Sequence, residues 1–93
     1  MIPEAEAVEF IDEMSRATGL LIAFGLNVTY SDSDPDAVFS VLVDPSILKN
    51  WEESKVEEYT RRKGLRISEK WTDWGRFIKI SKPKRVFVSS ISH

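Results

Sequence analysis

The hydrophobic spacing of this chain changes at Gly19, and that change limits the possible folds more than any other feature. Before it, Ala7, Val8, Ile11 and Met14 recur at helical spacing and Phe10 widens the stripe. Residues 3–18 therefore read as an amphipathic helix that Gly19 ends. Acidic residues in its first turn suit the helix dipole. From Leu20 the period is two: Leu20, Ile22, Phe24, Leu26, Val28 and Tyr30 fall on one side, and Ala23, Gly25, Asn27 and Thr29 on the other. This alternation predicts a strand over 20–30.

The same reasoning extends to the end of the chain. "SDSDPD" (31–36) is a polar turn, and "AVFSVLV" (37–43) is a second strand, expected to pair with the first as a hairpin. "DPS" opens a helix, with Asp44 as its cap and Pro45 in the first helical position. Leu48, Trp51, Val56 and Tyr59 mark its buried side, and "RRKG" ends it. Three short strands follow at about 65–71, 76–81 and 85–91, separated by "TDWG" and "KPK" turns. The expectation is one α+β domain over 1–93. Two helices pack on a mainly antiparallel sheet of about five strands, in the order α-β-β-α-β-β-β.

Composition removes several classes of function. The chain has no cysteine, so disulfides, thiolate metal sites and thiol chemistry are out. Its one histidine is His93, which leaves neither a histidine-based triad nor a metal cage; the expectation is no metal and no cofactor. Asp32, Asp34 and Asp36 alternate as at the start of a calcium loop, but Ala37 and Val43 stand where that loop needs glycine and glutamate. The glycines form no phosphate loop, and no serine lies in a nucleophile elbow. "NVT" at 27–29 matches a glycosylation triplet but lies within an expected strand. The acidic start, "MIPEAEAVEF", is unlike a signal peptide, and the longest apolar run, "GLLIAFGL", is too short to span a membrane. The expectation is a cytoplasmic protein that does not bind membranes. Absent glutamine, scarce asparagine and plentiful Lys, Arg and Glu fit a thermophilic source.

The net charge of −2 hides a strong asymmetry. Residues 1–44 hold nine acidic groups against Arg16 alone, whereas residues 45–93 hold twelve basic groups against six acidic ones. Such a split points to a polyanionic partner, or to halves that neutralise each other within the fold.

Alternation sorts the last three strands into faces. Leu65, Ile67 and Trp71, Ile78 with Ile80, and Val86 with Val88 are expected to face the core. The opposite face then carries Arg66, Ser68 and Lys70, Phe77 and Lys79, and Arg85, Phe87 and Ser89, with Lys82 and Lys84 in one adjoining turn and Trp74 in the other. Cations hold phosphates and flat rings stack on unpaired bases. The sequence therefore reads as a small non-catalytic accessory protein that binds RNA or DNA through its C-terminal sheet. Arg66, Lys70, Arg76, Lys79, Lys82, Lys84 and Arg85 would hold phosphates, and Phe77, Phe87 and Trp74 would stack.

The alternative is a protein–protein module, a subunit, inhibitor or homodimer, that uses the same aromatics or a free strand edge. The one enzymatic idea is a ribonuclease without histidine, for which Tyr59, Arg61, Arg62 and Arg85 supply residue types but no recognisable spacing.

Overall fold

The computed structural model describes residues 2–84 and has the α+β architecture. Helix α1 spans Pro3–Thr18; it starts on Pro3, carries Glu4 and Glu6 in its first turn, and stops where Gly19 adopts φ +75° and donates its N–H to the Ser15 carbonyl. Strands β1 (Val28–Ser31) and β2 (Ala37–Val43) form an antiparallel hairpin in which Tyr30 lies opposite Val41. Helix α2 spans Asn50–Arg62, and strands β3 (Arg66–Thr72) and β4 (Gly75–Pro83) form the second hairpin. β4 docks between β3 and β2, giving one antiparallel sheet in the order β1-β2-β4-β3.

Both helices cover the same side of this sheet. Ala7, Phe10, Ile11 and Met14 of α1 and Val56 and Tyr59 of α2 meet Phe39, Val41, Val43, Ile78 and Ile80 of the two central strands. Phe10 links the layers, its ring 6.0 Å from those of both Phe39 and Tyr59.

The expectation of five strands is corrected to four among the described residues, and the strand expected over 85–91 lies outside them. The strand expected over 20–30 begins only at Val28. Ahead of it, Gly25 takes φ +82°, and the Asn27 side chain accepts from the Ala23 N–H and donates to the Leu21 carbonyl. These bonds fold 21–27 into a turn. Leu20, Ile22, Phe24, Val28 and Tyr30 still reach the core, but Leu26 is turned out, 66% exposed. A turn that returns to the same face mimics strand alternation.

The helix expected from Pro45 is divided. A 3-10 turn occupies Pro45–Ile47, with the Asp44 carboxylate accepting the Ser46 N–H; Leu48 and Lys49 are extended before α2 starts. "KPK" is not a turn between strands, since Lys82 and Pro83 continue β4 opposite Phe39 and Ala37.

Two expected core tryptophans are exposed. Trp51 lies on the side of α2 away from Val56 and Tyr59, under the Lys55 ammonium, and is 56% exposed. Trp71 points to the helix side as alternation requires, but it stands on an edge strand beyond the last β2–β4 pair, Val43 with Ile78, and is 69% exposed.

Candidate nucleic-acid interface

The second hairpin closes through a tight turn at Asp73 and Trp74. The Thr72 hydroxyl accepts the Trp74 N–H and donates to the Gly75 carbonyl, and Gly75 takes φ +117°, a region that favours glycine. This geometry leaves the Trp74 ring in solvent, 87% exposed.

From the turn the register runs Trp71 with Arg76, Lys70 with Phe77, Glu69 with Ile78, Ser68 with Lys79, Ile67 with Ile80 and Arg66 with Ser81. Since the pleat alternates sides, Arg66, Ser68 and Lys70 share the back face with Phe77, Lys79 and Ser81. Neither strand places a carboxylate there. Arg66 and Lys70 are exposed and make no ion pair among the described residues; Phe77 is half-buried beside Lys70. Further in, Ser40 of β2 and Ser81 are buried and share a hydroxyl hydrogen bond of 3.2 Å.

An acid on the β1–β2 loop reaches the cations of this face, and Asp44, just past β2, lines surface hollows with Phe77. The Asp34 carboxylate lies 3.3 Å from the Lys79 ammonium. The Asp36 backbone N–H and then Lys79 hold Asp34 below the usual carboxylate range, and the charge of Arg66 adds to the effect. Asp34 therefore stays ionised and occupies one anion position of the basic face.

The helix side is different. Arg76 forks onto both carboxylate oxygens of Glu53 in α2, at 2.8 and 3.2 Å, and its Nε donates to Glu69 at 2.6 Å. Arg76 holds Glu53 below the usual glutamate range, and the two carboxylates in turn raise the guanidinium's own affinity for its proton. Lys82 pairs with Glu6 of α1.

Of the residues singled out from the sequence, the structure thus brings Arg66, Lys70, Lys79 and Phe77 to one face, with Trp74 at its tip. It sets Arg76 and Lys82 on the opposite side in ion pairs. Lys84 is exposed past the end of β4, its N–H donated to the Asp36 carbonyl. Arg85 and Phe87 lie outside the described residues.

Tyr59, one of the residues considered for phosphodiester cleavage, is a core residue against Phe10, and Arg61 pairs with Glu57. Among the described residues no cluster of acidic or histidine side chains could hold a metal ion, and no helix is long and apolar enough to cross a membrane. Sequence reasoning did not single out Asp34 as part of the site; the charge split between the halves was its only trace. Compared with models of protein families, with curated proteins and with solved structures, the chain matches none.

Proposed function

We propose that the protein is a non-catalytic accessory protein that binds single-stranded RNA or DNA along the back face of the β3–β4 hairpin. One observation carries this reading: the strand register gathers Arg66, Lys70, Lys79 and Phe77 on a face to which neither strand contributes a carboxylate. Cations there gain affinity by releasing phosphate counterions. Phe77, and Trp74 at the tip, offer flat rings for bases that are not stacked in a duplex. A chain free of cysteine fits the reducing cytoplasm, and we place it there on the same reading.

Fluorescence anisotropy with labelled oligouridylate, oligodeoxythymidylate and duplex DNA at two salt concentrations tests it. The expected result is tighter binding of single strands, weakening steeply with salt. Joint replacement of Arg66 and Lys70 by alanine should reduce both affinity and salt slope, while Lys82→Ala, on the other side of the sheet, should leave them unchanged. No binding at low salt ends the proposal.

A second reading, a protein-binding module, is favoured by Trp71 and Trp74, both exposed at the same end of the hairpin. An apolar contact of that kind persists in high salt, which separates it from phosphate binding.

A further inference from the structure

We infer that two copies of this chain join through the outer edge of β3, around a two-fold axis at Glu69, with Trp71 of each copy seated over Ile67 of the other. The inference rests on the sheet edge and stands apart from nucleic-acid binding.

Among the described residues the strand order leaves β1 and β3 at the edges, and β3 is the longer, with seven residues against four. Among the described residues β3 pairs only with β4, so its outer main-chain groups are a template for another strand. Arg66, Glu69 and Lys70 on that strand restrict which strand it accepts. A second copy related by a two-fold axis perpendicular to the sheet runs antiparallel and keeps every side chain on its own face, so the axis passes through one residue.

Three positions for the axis are available near the middle of β3. At Ser68 it sets Arg66 opposite Lys70 of the second copy and Ile67 opposite Glu69. At Lys70 it sets that lysine opposite itself and Glu69 opposite Trp71. At Glu69 it sets Ile67 opposite Trp71, Ser68 opposite Lys70 and Arg66 opposite Thr72. Within Arg66–Thr72 only this last register avoids both cation on cation and apolar side chain on carboxylate. Its single like-charge meeting, Glu69 on Glu69, is offset because each carboxylate already accepts from Arg76 Nε at 2.6 Å.

The shape of the surface agrees. Trp71 stands out from the helix side of the edge strand, where a monomer leaves it 69% exposed. Four residues back along the strand, a groove opens between α2 and β3, with Ile67 and Ile78 lining it and Glu57, Arg61 and Arg76 around them. The two-fold axis delivers the second copy's indole to that groove and closes both grooves at once. Large aromatic side chains in apolar seats are the contacts that dominate such interfaces. The resulting eight-stranded sheet sets the two back faces side by side with no cation directly opposite another.

The absence of cysteine provides a clean test. Glu69→Cys puts the only thiol of each chain on the axis. Opposed residues there have Cα atoms about 4.5–5.5 Å apart, within the roughly 4.4–6.8 Å that a disulfide spans. Thr29→Cys, on the β1 edge, is the control.

Analytical ultracentrifugation should show a concentration-dependent dimer, weakened about tenfold or more by Trp71→Ala. Circular dichroism should show that this exposed substitution leaves the fold intact. Mild oxidation should link Glu69→Cys much faster than Thr29→Cys. A monomer at every soluble concentration overturns the inference, as does a dimer indifferent to Trp71→Ala or equal cross-linking at positions 29 and 69. Anisotropy with nucleic acid is read separately, so loss of one activity does not conceal the other.

Discussion

The two sides of the β3–β4 hairpin use the same kinds of residue and reach opposite electrostatic states. On the helix side Arg76 meets Glu53 and Glu69, and Lys82 meets Glu6. On the back face Arg66 and Lys70 have no carboxylate partner among the described residues, and only Lys79 meets one, Asp34. The difference follows from where the acids are. Glu6 and Glu53 are carried by helices that lie on one side of the sheet and cannot reach round it, whereas Asp34 arrives on a loop. Cations under the helices therefore serve the fold, and those on the back remain available to a ligand.

The largest effect separating the two sides should come from the core. Ile80 is fully buried on the helix side, and Ile80→Ala should lower unfolding free energy by about 2–5 kcal/mol in urea titrations. The Arg66→Ala, Lys70→Ala double variant should do the reverse. Its melting temperature should match the wild type, while affinity for single strands falls about tenfold and the salt slope by about two. If that variant melts early, the back-face cations are structural and the contrast fails.

A smaller effect concerns pH. Glu53 is held below the usual glutamate value by Arg76, so its contribution to stability is complete above about pH 4.3 and is lost as pH falls through the depressed value. Asp34 acts in the same direction. Thermal melts from pH 5 downward should show a steep loss in the wild type and a shallower one in Glu53→Gln. The smallest expected change is Asp34→Asn, which releases Lys79 and should raise affinity for single strands about twofold in the anisotropy assay. A drop instead would mean that Asp34 holds the loop in a shape the ligand requires.

Local periodicity made most of the elements legible. Helix α1 and strands β2, β3 and β4 stand where the spacing puts them, because one buried stripe or face dictates each pattern. The failures have two causes, one a local side-chain turn and the other a sheet order set by residues distant in sequence. Leu26 keeps the strand rhythm, yet the Asn27 side chain closes a turn there. Trp71 keeps the phase of a core residue, and its exposure comes from the edge position of β3 and the early end of β2, neither of which a single strand records.

The candidate site was legible to the same extent. Alternation alone assembles Arg66, Lys70, Lys79 and Phe77. The parity of Arg76 with Ile78 and Ile80 already points it to the helix side, but nothing in the sequence names Glu53 as its partner. The charge split proved to be partly internal, since Glu6 with Lys82, Glu13 with Lys63 and Asp34 with Lys79 each join the acidic half to the basic one.

The strand order also dictates a sequence of events in time. β2 has β1 on one side from the moment its hairpin closes, but its other neighbour, β4, follows some forty residues later, as Ser40 opposite Ser81 records. During synthesis from the N-terminus, α1 and the first hairpin emerge with the main-chain edge of β2 that β4 later pairs still open. That edge is sealed only when Pro83 has left the ribosome. Folding is thus postponed to the last described strand, and the wait is when this chain is most open to chaperones and to aggregation.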